Sequence, residues 1–367
     1  MSTYNCTPII NSGKKPYQST HNILCDKMLK DLRRHLRIYS IRKLYNLIMG
    51  KVQFSIGSTY LYYYPAKITI ESGNICNLRC PLCPTGQKDT SARKGLLSFS
   101  DFKRIIDKIG KNLLLIRLYN WGEPLLNKEL IKMVEYADQN RIAVKISTNL
   151  SLPVDDAQAE SIIKANLQKI YISCDGASSS TYPTYHVDGD FNRVVSNMKL
   201  LLRKKKQLEN NYTELIWLFH VFSHNEHEIE TAKSIAKEIG IKLSINKIRT
   251  DMGKEIFETA EKSLERDSKW LPENPEYNTF NMTEKKPKRK FNCHLLWTET
   301  VINWDGNVLP CCSVYSETHS FGNIKEEPFK NVWNGKKYIS ARKEILSRKN
   351  NTKTVCHICK ANDYLYI

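Results

Sequence analysis

What the sequence lacks sets its bounds first. No run among its 367 residues approaches the roughly 18 to 20 apolar residues that a membrane span needs, which excludes a helical channel or transporter core. The opening residues, MSTYNCTPIINSGKK, hold no apolar signal-peptide core, so a cytoplasmic chain is expected. Acidic residues are scarce beside basic ones, 38 against 56, for a formal charge of +18. That surplus invites nucleic acid, anionic lipid, or a phosphorylated or nucleotide-bearing substrate. The basic residues are scattered, however, and no nucleic-acid module is legible. A solvated Lys-rich surface is therefore the reading, with no nucleic-acid partner. A closed disulfide framework is missing too, because eleven cysteines are an odd number, and in an intracellular chain they argue for metal chemistry.

What is present centres on residues 70–83, IESGNICNLRCPLC, which set Cys76, Cys80 and Cys83 in a C-x3-C-x2-C loop after a short apolar run. Three thiolates hold three corners of a four-iron cluster that wants four, leaving one iron open to a small molecule. The alternatives are a zinc knuckle or three unrelated thiols. Zinc sites usually pair C-x2-C with a second couple further on, and this spacing does not follow that pattern.

Residues 1–25 are polar and without period. From Asp26 to Met49, Leu29, Leu32, Leu36, Ile41, Leu44, Tyr45 and Ile48 recur at helical spacing among Lys30, Arg33, Arg34, Arg37, Arg42 and Lys43. This predicts one basic amphipathic helix or two short ones, packed by the apolar stripe on the main domain, with an anionic membrane surface or an acidic substrate as the other fates. From Lys67 strands and helices alternate, which implies a parallel sheet of βαβ units. Strands are expected at 67–71, 113–118, 142–146, 169–173, 215–221 and 242–245. The intervening helices include one capped by Ser98 or Ser100, one capped by Asp155 or Asp156, one over 191–207 and one closed by Gly240. Residues 250–290, with Pro272, Pro275, Pro287 and a charged run, read as a linker with one short helix after Asp251.

Beyond it, Asp305-Gly306 signals a hairpin between two apolar strands, and a hairpin brings Cys293 and Cys311 together. Cys356 and Cys359 follow as C-x2-C, while Cys312 stands beside Cys311 as an unpaired thiol. Four cysteines with a C-x2-C pair also suit a zinc ribbon.

The C-x3-C-x2-C loop, Gly122-Glu123-Pro124 one strand later, Ser147-Thr148-Asn149 after the third strand and Ser173-Cys174-Asp175-Gly176 after the fourth together resemble the radical S-adenosylmethionine (AdoMet) superfamily. The C-terminal cysteine set resembles its SPASM/twitch-type auxiliary domain. The resemblance spans roughly 67–367 and implies a partial (β/α)6 TIM-like barrel over 67–249, the linker over 250–290 and a small α+β auxiliary-cluster domain over 291–367, after an N-terminal extension over 1–66. It also implies a [4Fe-4S] cluster on Cys76, Cys80 and Cys83 that binds AdoMet, and an auxiliary [4Fe-4S] cluster on Cys293, Cys311, Cys356 and Cys359. The AdoMet contacts it implies are Gly122, Glu123 and Pro124 for the amino group, Ser147 and Asn149 for ribose and carboxylate, and Ser173 and Asp175.

Ser173 and Asp175 alternate along a strand and would face the barrel interior, with Cys174 turned into the helix layer as a structural thiol. His220, His224 and His227 are read as solvated, and Asn225 as capping the next helix. Cys312 replaces Cys311 as ligand, is inert, or donates a hydrogen atom to a substrate radical. The expected activity is hydrogen abstraction from a polar small molecule such as a sugar, aminocyclitol or sugar-bearing metabolite, by dehydrogenation or epimerisation, with flavodoxin or ferredoxin as reductant. That substrate follows single-auxiliary-cluster relatives, an aminocyclitol dehydrogenase and an aminoglycoside epimerase. The alternatives are modification of a ribosomally made peptide and non-catalytic electron transfer. No peptide-binding domain is legible in 1–66.

Overall fold

The computed structural model describes residues 36–248, 265–278, 280–281, 286–287, 293–347 and 354–361. The expected helix over residues 26–35 and the short helix after Asp251 lie outside the described residues.

Helix α1 (Ile41–Ser55) starts at Ser40, whose side chain accepts from the Lys43 amide. Six parallel strands follow: β1 (Lys67–Ile70), β2 (Leu115–Arg117), β3 (Ala143–Thr148), β4 (Lys169–Ser173), β5 (Glu214–Val221) and β6 (Lys242–Lys247). The helices on the outside include α2 (Phe99–Ile109), α3 (Leu130–Gln139), α4 (Asp156–Lys164), a single turn α5 (Tyr182–Tyr185), α6 (Phe191–Gln207) and α7 (Ile229–Ile239). Local chemistry sets their ends. Ser98 caps α2, Asp155 and Gln158 form a capping box on α4, and Gly240 closes α7 in the left-handed region.

Alternation along the strands divides their two sides. Ile170 and Ile172 of β4, like Val144 and Ile146 of β3, are fully buried against the helices, whereas Lys169, Tyr171, Ser173, Lys145 and Ser147 face the half-buried interior. This is the partial barrel that the family resemblance implies, built on the parallel sheet expected from the βαβ pattern.

The auxiliary region extends the same sheet. Strands β7 (Val301–Ile302) and β8 (Asn307–Leu309) form the expected hairpin about Asp305-Gly306, and β7 pairs in parallel with β1, Thr69 opposite Val301. With β9 (Gly322–Asn323) the sheet runs to nine strands. Helices α8 (Leu295–Thr298), α9 (Phe329–Trp333), α10 (Lys336–Leu346) and α11 (Val355–Ala361) complete the C-terminal part. Residues 58–64 bind it to the N-terminal part. The Trp297 indole donates to the Ser58 carbonyl at 2.7 Å, the Trp333 indole to Tyr63 at 3.0 Å, and Leu61 and Asn334 exchange two hydrogen bonds.

Two expectations need correction. Helix α1 packs on the domain, but by its polar side. Lys43, Asn46, Gly50 and Gln53 are buried, whereas Ile41, Leu44, Tyr45 and Ile48, the expected inward stripe, are exposed. The reason is local: Asn46 meets the Asn112 side chain at 3.1 Å and Lys43 donates to the Arg141 carbonyl at 2.7 Å, both just before barrel strands. Asn225 stands at the N-cap position of the 3-10 turn Glu226–Glu228 that leads into α7, but its side chain makes no capping hydrogen bond. Its amide donates to the carbonyls of Asp175 and His220, tying the ends of β4 and β5 together, and its oxygen accepts from the Phe222 amide.

Candidate active site and cluster sites

The loop after β1 is built by close backbone approach. Gly86 lies against the backbone of Cys80, and a Cβ on Gly122 would collide with the carbonyl of Gly73, so both positions need glycine. Contact at Gly122 lets the Glu123 amide donate to the Ile75 carbonyl at 2.9 Å, joining the Gly-Glu-Pro turn to the cysteine loop.

Glu123 is buried and accepts three hydrogen bonds, from the Thr148 hydroxyl at 2.6 Å, the Asn149 amide at 2.7 Å and the Leu125 amide at 3.0 Å. Burial nevertheless pushes it up to about 7, against the pull of those donors. Asn149 reaches the cysteine loop itself, its amide 3.6 Å from the Cys76 sulfur and 3.0 Å from the Asn77 side chain. Ser147 and Ser173 pair at 3.3 Å across β3 and β4. Gly122, Glu123, Ser147, Asn149 and Ser173 thus gather with Cys76 at the C-terminal ends of β1 to β4, where barrel chemistry is done.

Asp175 lies there too, but its carboxylate is occupied. His186 and His220 each approach it at 3.0 Å and the His220 amide donates to it at 2.6 Å, holding Asp175 well below the usual carboxylate range in spite of burial. His186 stacks on Tyr182 of α5 and stands 3.6 Å from the Cys80 sulfur. A connected group Cys80, His186, Asp175, His220 therefore runs from the cysteine loop into the barrel. The histidine reading needs correction here, since His220 is an Asp175 partner rather than a solvated side chain, and His186 had no sequence signal beyond its type. Cys174 is fully buried among the apolar residues under the helices. Trp270 and Leu271, within the expected linker, pack with Leu82, Tyr185 and Phe222 behind the cysteine loop.

The thiols fit clusters by their donor chemistry. Burial and the neighbouring thiols push Cys80 well up, while Cys76 rises to about 11 through burial above all, so three thiolates coexist there only with cationic charge among them, which iron supplies. Cys293, Cys311, Cys356 and Cys359 line one apolar cavity with Leu296, Val314 and Ile345, and burial raises Cys356 in the same way. Cys312 does not line it. Its thiol is an electrostatic neighbour of Arg117 and Tyr119 and also of Cys293, between the barrel interior and the auxiliary cavity.

The interior below these groups is polar. Register sets Arg117, Lys145, Lys169 and Glu214 in one row across β2 to β5. Glu299 holds Arg117 in a two-point ion pair at 2.5 and 3.1 Å, and Glu214 holds Lys169. Lys145 between them has no hydrogen-bond or ion-pair partner among the described residues. Burial, Lys169 and Arg117 push its ammonium below the usual range.

Comparison with known proteins agrees with this geometry. The profile of the radical SAM superfamily matches residues 70–230, and that of an iron–sulfur cluster-binding domain, SPASM, matches 293–360. The chain belongs to the radical SAM superfamily. It is a radical SAM enzyme with a C-terminal SPASM domain, and its cofactors are AdoMet, the [4Fe-4S] cluster that binds it and an auxiliary iron–sulfur cluster. It is 24% identical to the AdoMet-dependent heme synthase of Methanosarcina barkeri, over 79% of this chain and 89% of that one. It is 25% identical to the mycofactocin maturase MftC of Mycolicibacterium smegmatis, over 54% of this chain and 49% of the maturase, so it spans about half of that relative. The fold matches Streptococcus suis SuiB bound to precursor peptide SuiA with a TM-score of 0.59 at 16% identity, covering 99% of this chain and 80% of SuiB.

Proposed function

We propose that this enzyme abstracts a hydrogen atom from a polar substrate bearing a carboxylate or phosphate, held in the barrel interior between the AdoMet site and the auxiliary domain. The observation that carries the reading is Lys145, a half-buried cation without a partner among the described residues, in a row whose other charges are neutralised. Such a group is stabilised by an anion brought by the substrate. Sugar acids, sugar phosphates and nucleotide sugars belong to that class.

Cys76, Cys80 and Cys83 hold the first cluster and Cys293, Cys311, Cys356 and Cys359 the auxiliary one. When bound, these clusters supply electrons, the first for cleavage of AdoMet to the 5′-deoxyadenosyl radical and the second for exchange with the substrate. Glu123 and the backbone at Gly122 and Pro124 receive the AdoMet ammonium, for which a carboxylate already set by three donors needs no rearrangement. Asn149, Ser147 and Ser173 offer hydrogen bonds to its carboxylate and ribose. Asp175 acts at one remove, fixing His220 and His186 and through His186 the wall beside Cys80. Cys312, beside the auxiliary cavity, is the hydrogen-atom donor if the outcome is epimerisation, and its thiyl radical then takes one electron from the reductant and one proton from solvent to return to the thiol. Cys312→Ala abolishes product in that case and leaves a dehydrogenation intact. The enzyme works in the cytoplasm with flavodoxin or ferredoxin as reductant.

A peptide substrate is the second reading. It is favoured by the SuiB fold match over nearly the whole chain and by similarity to MftC, and an acidic side chain in the peptide would meet Lys145 equally well. The test is Lys145→Met with a panel of anionic and neutral candidate substrates, small molecules and precursor peptides, deuterated at the reacting position. We expect KM for the anionic substrate to rise at least about tenfold, the loss of one charge-assisted contact, with substrate-free AdoMet cleavage unchanged. An unchanged KM sinks the reading.

A further inference from the structure

We propose that the outward face of α1, at the end of the barrel opposite the active site, docks on an anionic lipid surface. The helix is turned inside out for a soluble protein. Its polar residues Lys43, Asn46 and Gln53 are buried, with Leu47, Met49 and Phe54 packed beside them and Phe54 on Trp297 of α8, while Ile41 is 89% exposed, Ile48 59% and Val52 42%. With Leu44 and Tyr45 these residues form one stripe along a helix of 15 residues, Arg42 and Lys51 standing exposed on its two flanks. Ile56, 70% exposed, prolongs the stripe at the end of the helix, and Tyr62, 77% exposed and in ring contact with Tyr60, lines a cavity together with Tyr45. Contiguous apolar surface of this kind marks an interaction site.

Charge selects the occupant. Residues 32–70 contain no Asp or Glu, and of their seven Lys and Arg the exposed Arg42 and Lys51 border the stripe, whereas Lys43 is buried and Arg37 is paired with Asp138. An apolar helical face rimmed by cations and tyrosines is the pattern of a helix lying in the plane of a bilayer, its apolar side in the acyl boundary and its cations on lipid phosphates. Among the described residues no helix is long and apolar enough to cross a membrane, so the contact is peripheral. A second copy fits badly, because a two-fold interface sets the same patch against itself and opposes cation to cation without an acid in the segment. The position suits docking as well. Asn112 and Arg141, which receive the buried side of α1, precede β2 and β3, so the face lies at the N-terminal ends of the strands and leaves the mouth at their C-terminal ends open to solvent.

The test is co-sedimentation of the full-length holoenzyme with phosphatidylcholine vesicles, with and without 25% phosphatidylglycerol, for wild type and Ile41→Asp/Ile48→Asp. Both residues are exposed and outside the active site, so far-UV circular dichroism and AdoMet cleavage are expected to stay unchanged. We expect wild type to pellet with the anionic vesicles and not the neutral ones, and the double variant to partition at least tenfold less. Wild type that ignores anionic vesicles, or a variant that binds them equally, overturns the proposal. So does a wild-type dimer that the double substitution splits in the absence of lipid, which assigns the face to self-association.

Discussion

Glu71 closes β1 five residues before the first cluster cysteine and is almost wholly buried. Burial pushes its carboxyl up to about 7 against the pull of nearby backbone N–H groups of Trp304 and Trp121 and of Lys94, with Asp305 adding to the rise. A folded value above the ordinary 4.5 means that the native state holds the proton more tightly than the unfolded chain. The associated stability is complete below about pH 4.5 and is lost as pH rises through about 7. Denaturant unfolding of the protein without AdoMet is therefore expected to show falling stability from pH 5 to 8. In Glu71→Gln that fall should be shallower by roughly 2 to 3 kcal/mol. Equal slopes in the two proteins contradict the assignment. Glu123 adds a fall of the same sign and keeps the variant from becoming flat. At this scale Glu123, Ser147, Asn149 and Ser173 were legible because they sit in short motifs at strand ends. Lys145, His186 and Glu71 were not, since their importance comes from what surrounds them after folding: a neutralised row, a shared aspartate, a dry pocket.

Among the elements, β4 and α6 have the bounds expected from the sequence, 169–173 and 191–207, because alternation with Ile170 and Ile172 and a capped, lysine-ended helix leave little freedom. The hairpin about Asp305-Gly306 was equally plain. Helix α1 shows where periodicity fails: a hydrophobic stripe tells that a helix has two faces, and not which one meets the protein. The buried face was decided by Asn112 and Arg141, residues some seventy and one hundred positions away. The single turn α5 was missed because four residues are too few for a period. The Gly-Glu-Pro turn makes a sharper prediction for an element. Gly122→Ala drives a methyl into the Gly73 carbonyl and breaks the Glu123 amide bond to Ile75. Loss of about 1 to 3 kcal/mol of stability is expected, together with weakened AdoMet binding by calorimetry. Wild-type behaviour in both measurements would mean that the close approach is not needed.

Among the described residues the main sheet runs unbroken through nine strands, with the auxiliary hairpin laid on the edge of the barrel, and a separate antiparallel pair joins Phe280–Asn281 to Lys286–Pro287. The β1 edge beside the cysteine loop is thus covered by the domain that carries the second cysteine set, and residues 58–64 fasten the same domain from the other side. Sequence spacing gave the two cysteine sets and the βα alternation, but not this junction, because strand pairing between residues 69 and 301 leaves no local trace. The arrangement carries the two cysteine sets on one sheet, with a polar, cation-rich interior beside them.

That account rests on two clusters held by two independent thiol sets, and iron content tests it most directly. Anaerobically reconstituted wild type should hold about eight irons, and Cys76→Ala/Cys80→Ala/Cys83→Ala about four. Only wild type should form 5′-deoxyadenosine on reduction with dithionite. A triple variant that still cleaves AdoMet, or one that retains zinc and no iron at Cys293, Cys311, Cys356 and Cys359, contradicts it.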